Sequence, residues 1–319
     1  MSQAKDLRPD PAGFHDANPA TQPQQDHAAG PRRPSRFLLR FFDLYLSLYV
    51  PFHFGALRMA APERFPLTAR PLIVCINHPS WWDPLTSILL SRFLLRTADH
   101  YAPIDDRSLT RYGILGGLGL FPVEQGTARG AVQFLRAARR ILSDPNSLLW
   151  LTPQGGFTDV RSRPLVFKPG LASLIKRLDQ VTVVPLAYEY TYWDRRLPEI
   201  LTLCGQPVTF TRGQLDGGSL SGESGITAAL TGALAATQDE LAVLAASRNP
   251  AHFHTVLGGQ PEGSGLAGAW RNLAGALRAG AGPPSTIATG TVSGASLTHG
   301  PATREASPSP APGARRTAP

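Results

Sequence analysis

Strand-like and helix-like runs alternate from residue 71 to residue 190, and that alternation most limits the folds open to this chain. PLIVCIN (71–77) is a continuous apolar run, short enough for a buried strand. DPLTSILLSRFLL (83–95) has helical length and a proline suited to a first turn. ADHYAPI (98–104) and GLFPV (119–123) are short strand candidates. TARGAVQFLRAARRIL (127–142) is an amphipathic helix, with Val132, Leu135 and Ile141 near one face. SLLWLT (147–152) reads as a strand, GLASLIKRL (170–178) as a helix and VTVVPLAYEY (181–190) as a strand. LTLCGQPVTF (201–210) supplies a last strand, and residues 226–246 a closing helix. Strands alternating with helices predict an α/β fold, a central mixed sheet flanked by helices.

Ahead of this domain stands RFLLRFFDLYLSLYV (36–50). After Arg36 its polar members are Arg40, Asp43 and Ser47, three and four positions apart. A helix gathers them into one narrow stripe and leaves the rest of its circumference apolar. Such a helix suits a bilayer interface, and Arg32, Arg33 and Arg36 stand where anionic head groups would be. The stretch is shorter than the ~20 apolar residues needed to cross a membrane. The sheet is therefore expected to follow an apolar N-terminal membrane-associating helix, with residues 32–60 docking on a membrane without spanning it.

The expected organisation is a disordered tail (1–34), an apolar membrane-associating helical segment (35–69), a main domain (70–260) and a mostly disordered Gly/Ala/Pro-rich tail (261–319). Both ends are too poor in large apolar residues to offset the entropy of ordering. The first tail also lacks the apolar run of a secretory signal, so the cytoplasmic face is expected. The formal charge is +8, but much of the excess sits in the tails, and no nucleic-acid-binding motif occurs. No nucleic acid is therefore expected as a partner. Cys75 and Cys204 both lie in apolar runs, and no zinc-ligand spacing occurs, so neither a disulfide nor a metal is expected.

Chemistry concentrates in CINHPSWWDPLTS (75–87). His78 follows the end of a strand, and Asp83 stands five positions on, before Pro84. Imidazole exchanges a proton near neutrality, and a carboxylate on its other nitrogen would fix its tautomer. Asp83 also has a plainer reading as a helix N-cap. The same spacing recurs from His100 to Asp105, in a strand-like run with no helix start after it. That recurrence is read as coincidence.

NHPSWWDP is followed in order by GLFPVEQGTARGA, LTPQGGFTDVRSRPLVFKPGLASL, VTVVPLAYEY and CGQPV. The ordered set, over roughly residues 70–212, resembles the PlsC-like glycerolipid or lysophospholipid acyltransferases. The resemblance implies a catalytic pair, His78 and Asp83, that moves a fatty acyl group from acyl-CoA or acyl carrier protein to a lipid hydroxyl. The expected acceptor is a lysophospholipid or related glycerolipid. No cofactor beyond that co-substrate is implied, and the partners are membrane lipids and the acyl donor. Backbone N–H groups near Gly155 and Gly156 are candidates for holding the oxyanion.

The departures from the family pattern are specific. Gln154 stands where glutamate is usual, Gly156 and Phe157 where threonine and arginine are usual, and Gln125 where an arginine often binds phosphate. Gln154, Gly155, Arg161, Arg163 and Lys168 are the candidates left for an acceptor or its phosphate, with Arg129 nearby in sequence. Three other readings stay open. The acceptor could carry no phosphate, as in a glycolipid or carotenoid glycoside. Alternatively, the chain could bind lipid with its catalysis impaired, or use the same pair with water as a hydrolase.

Overall fold

The computed structural model describes residues 31–259, apart from 112, 218, 219 and 221. Expectations for residues 1–30 and 260–319 lie outside the described residues. Helix α1 (Arg36–His53) is capped by Ser35, whose hydroxyl accepts from the Leu38 N–H. Then come β1 (Ala56–Ala60), β2 (Leu72–Ile76), α2 (Asp83–Leu95), β3 (Asp99–Asp105), α3 (Asp106–Arg111), β4 (Leu120–Val123), α4 (Ala128–Leu142) and β5 (Ser147–Leu151). They are followed by α5 (Gly170–Ile175), β6 (Gln180–Thr191), β7 (Glu199–Cys204), β8 (Val208–Thr211), α6 (Arg212–Leu215), α7 (Gly222–Ala246) and β9 (His254–Gly258).

The strands join one mixed sheet in the order β4-β3-β5-β2-β6-β7-β1-β9, with β8 beside β6. From β4 to β6 the neighbours are parallel, which suits their unbroken apolar runs. Alternate residues of each strand enter opposite cores. Ile73, Cys75, Leu149, Leu151 and Val183 pack under α4, α5 and α7. Leu72, Val74, Leu148, Trp150 and Val184 pack under α1 and α2. The result is helix, sheet, helix, with β2 in the middle and the loop after it emerging at the carboxyl ends of the parallel strands.

Three expectations need correction. Residues 35–69 are not helical throughout: the helix stops at His53, and β1 is a fully buried strand between β7 and β9. Arg58 hides this strand from a sequence reading, because an arginine interrupts the apolar run. Its charge is answered by Glu199, whose carboxylate accepts from Nε at 2.9 Å. The single strand expected over 201–210 is two, broken at Gly205, whose N–H turns to Pro185 O at 2.9 Å. The two pieces pair with successive halves of β6. Finally, β3 runs on to Asp105 and leads straight into α3, a helix the apolar pattern did not reveal.

Helix α1 buries Leu46 and Val50 in the core, and part of its polar stripe turns inward with them. Its polar Ser47 is buried, and Asp43 turns inward to pair with Arg92 of α2. Phe37 (82%), Phe41 (58%) and Phe52 (73%) are exposed instead, with Tyr45 and Leu48 on the same stripe. No described helix is long and apolar enough to cross a membrane.

Candidate active site

The tight turn between β2 and α2 brings His78 and Asp83 together. The Nδ1–H of His78 donates to Asp83 Oδ2 at 2.6 Å, which leaves Nε2 as the free base. That tautomer follows from the bonding pattern, since a carboxylate only accepts. Asp83 does not cap α2: it is the first helical residue, and Trp82 occupies the cap position without a side-chain bond. The Asp83 carboxylate, 1% exposed, is instead surrounded by donors. The Ser80 N–H reaches Oδ2 at 3.1 Å, and the Tyr190 hydroxyl reaches Oδ1 at 2.7 Å. Burial, and then the charge of Asp83, push the Tyr190 phenol well above its ordinary range, so it stays protonated and donates.

The surrounding loops are pinned to this turn. Asn77 bridges to Tyr188 both ways, its amide donating to the carbonyl at 2.9 Å and accepting from the N–H at 2.7 Å. Gln154 Oε1 accepts from the His78 N–H at 2.9 Å, and the Thr158 N–H donates to His78 O at 2.9 Å. The replacement of glutamate by glutamine therefore keeps an acceptor where one is needed. Gln154 positions the histidine loop, which is a different role from holding phosphate.

Of the two oxyanion candidates, only Gly156 keeps a free donor. The Gly155 N–H already donates to Thr152 O at 3.0 Å. Gly155 adopts φ +68°, and a Cβ there would collide with the Lys168 side chain. Nothing among the described residues accepts from the Gly156 N–H, and the space beside its Cα is open. Phe157 lies against the imidazole with ring centres 4.5 Å apart, an apolar cover where the family carries arginine.

The structure does not bring Arg161 or Arg163 to His78 as a free cation, whereas the Lys168 side chain lies against Gly155, next to the Gln154 that holds the His78 loop. Arg161 folds onto Asp159 through two side-chain bonds, of 2.9 and 2.8 Å. Those bonds hold the Asp159 carboxyl well below the usual carboxylate range. Arg163 spends its guanidinium on Val160 O, Ser162 O and Asp239 of α7. Lys168 alone among these three has no carboxylate partner in the described residues. Arg129 is exposed at the start of α4.

His100 has a wholly structural role. It accepts at Nδ1 from the Trp150 indole N–H at 2.9 Å, and its Nε2–H donates to Leu95 O at 2.8 Å. Asp105 lies five residues along the same strand, on the opposite face and roughly 16 Å away. Burial pushes the His100 pKa down from 6.5 to about 4. The unfolded chain takes up that proton first as pH falls, so the neutral ring's contribution is full above pH 6.5 and is lost on the way to 4. Stability is expected to drop by about 3 kcal/mol across this window on account of His100. Urea melts at pH 7, 5.5 and 4 check this against His100→Gln; equal pH dependence in the two proteins would refute it.

Sequence reasoning missed Tyr190, which holds Asp83 from the far side. Its signal was present, because Tyr188 and Tyr190 alternate on one face of the strand over 181–190. Their partners, Ser87 and Thr86 of α2, became evident only on folding.

No curated protein matches this chain. Residues 56–189 match the Acyltransferase family model, a span from the first residue of β1 almost to the end of β6. That span holds the His78–Asp83 turn, the Gln154 loop and Tyr188. Over residues 56–189 this chain therefore carries an acyltransferase-family domain.

Proposed function

We propose that the protein is a membrane-surface O-acyltransferase that moves a fatty acyl group from acyl-CoA or acyl carrier protein to a lipid hydroxyl. The observation that carries this reading is the buried, triply bonded Asp83 holding His78 with Nε2 free. In this mechanism Nε2 takes the proton of the acceptor hydroxyl as its oxygen attacks the thioester carbonyl. The tetrahedral oxyanion is met by the Gly156 N–H. Collapse expels the thiolate, which takes the proton back from the imidazolium. No covalent enzyme intermediate is required.

The family resemblance favours a lysophospholipid or related glycerolipid acceptor. A specific observation favours the second reading, an acceptor without phosphate. Arg161 and Arg163 are engaged by Asp159 and Asp239, and apolar Phe157 covers the position of the family's arginine. Incubation with labelled acyl-CoA and a membrane lipid extract tests the reading. Label in a lipid product supports it. Free fatty acid alone indicates a hydrolase, and neither product indicates a lipid-binding protein.

Helix α1 supports the membrane part of the proposal, with docking at the cytoplasmic face as a peripheral or monotopic protein. Its outward stripe ends near Trp82, which contacts Tyr49 and His53, and Trp81 beside it is exposed. The carboxyl-terminal end of α1 thus packs against the active-site turn. Replacing Phe37, Phe41 and Phe52 together by Ser is expected to lower partition into anionic vesicles at least ~10²-fold, given about 2 kcal/mol per buried ring. Flotation with phosphatidylglycerol vesicles measures this, and unchanged flotation would refute it. Truncation is the poorer test beyond His53, since β1 belongs to the sheet.

A further inference from the structure

A cavity of 540 Å³ opens on the α7 side of β6, the side opposite α2. Glu189 and Thr191 of β6, Gln238 and Asp239 of α7, and Arg161 and Arg163 wall it. Its volume falls within the roughly 300–1,000 Å³ of small-molecule sites. Gln238 and Asp239 lie beyond the span that matches the acyltransferase family.

The wall is richer in acceptors than in free donors. Gln238 is 5% exposed, and its Nε2–H makes a long 3.3 Å bond to Val160 O. Its Oε1 is buried with no hydrogen-bond partner. Native structures pair more than ~90% of buried polar groups, and an orphaned one costs about 1–3 kcal/mol. Turning the amide toward the cavity gives up only the long bond. Glu189 is half-buried beside it, and burial raises its pKa while Arg161 draws it back. The two guanidiniums are already bound to Asp159 and Asp239.

That pattern selects among ligands. A phosphate brings only acceptors and negative charge, and would meet Glu189 and the Gln238 oxygen with nothing to give them. An ammonium would be answered by Glu189 and the Gln238 oxygen, but it only donates and offers nothing to the guanidinium edges. Hydroxyl groups donate to Gln238 Oε1 and Glu189, and can also accept from the guanidinium edges.

We propose that this cavity binds the hydroxyl-rich, phosphate-free head of the acyl acceptor, a glycosyl or polyol group. The proposal rests on the acyltransferase reading, because the reacting hydroxyl must reach His78. One loop joins the two places: Thr158 donates to His78 O, Val160 O accepts from Gln238, and Arg163 binds Asp239.

The test uses the full chain. A short-chain alkyl glucoside below its micellar concentration and glycerol 3-phosphate are titrated by calorimetry. In parallel, label from acyl-CoA is followed into the glucoside and into lysophosphatidate. The glucoside is expected to bind and to be acylated in preference to the phosphorylated compounds. Gln238→Leu should weaken glucoside binding and raise its KM about 2- to 10-fold, the worth of a neutral hydrogen bond, with the KM for acyl-CoA unchanged. Gln238→Met, closer in shape, should do the same if Gln238→Leu folds poorly. Preference for glycerol 3-phosphate, absence of glucoside binding, or parent-like binding by a folded Gln238 variant would each overturn the inference. Acylation of lysophosphatidate alone overturns it while keeping the acyltransferase reading. Gln238-dependent glucoside binding with no transfer to either compound keeps the glycosyl site and overturns the acyltransferase reading.

Discussion

His78→Ala is expected to lower acyl transfer by ~10²–10⁴-fold, the usual contribution of a positioned general base, with the folded state kept. The side chain lies in a loop and is partly exposed, and its loss leaves Asp83 still bonded to Ser80 and Tyr190. His100→Ala should show the converse. It strands the Trp150 indole N–H and the Leu95 carbonyl in the core and opens a cavity. A loss of about 3 kcal/mol is expected, with activity per folded molecule retained. Asp83→Asn keeps the side-chain volume and an acceptor for Tyr190 but removes the charge that steadies an imidazolium. A fall on the order of 10²-fold or more is expected. Initial rates on a common acceptor, with urea melts of each variant, separate the cases. Similar rate losses for folded His78→Ala and His100→Ala would end the assignment.

Glu199→Ala is expected to destabilise the fold by about 3–5 kcal/mol, the range for breaking a buried ion pair at one end. Glu199 is 1% exposed and holds the Arg58 guanidinium of β1, which also donates to Thr255 of β9 at 2.9 Å. The Trp193 ring lies 5.6 Å from that guanidinium. Without the carboxylate, a buried cation is left with a hydroxyl and a ring face. Replacing both members, Arg58→Met with Glu199→Leu, should recover most of the loss, because two apolar side chains need no desolvation. Equilibrium urea unfolding measures each step. A Glu199→Ala cost under about 1 kcal/mol, or no recovery in the double variant, would show that the pair does not hold β1 between its neighbours.

Periodicity in the sequence determined the layered α/β plan, since apolar runs of strand length and helices of one-sided character are written in consecutive residues. It also determined that α1 would have one polar stripe, because Arg40, Asp43 and Ser47 are spaced by helix geometry alone. The spacing of His78 and Asp83 set a candidate pair, but the identical spacing at His100 and Asp105 shows what spacing leaves open. Backbone conformation decided between them: a turn into a helix closes five residues onto each other, and a strand holds them apart on opposite faces. The fate of the basic loop divides in the same way. Arg161 meets Asp159 two residues away, a pairing within local reach, whereas Arg163 meets a carboxylate on α7. Strand β1 was illegible because its arginine becomes tolerable only beside Glu199, 141 residues later. Gln238 likewise looks like an ordinary helix residue until packing seals its amide oxygen against the cavity wall. Local pattern determines which way a segment folds and which face it buries. Which charge is answered, and by what, is decided only when distant segments are brought into contact.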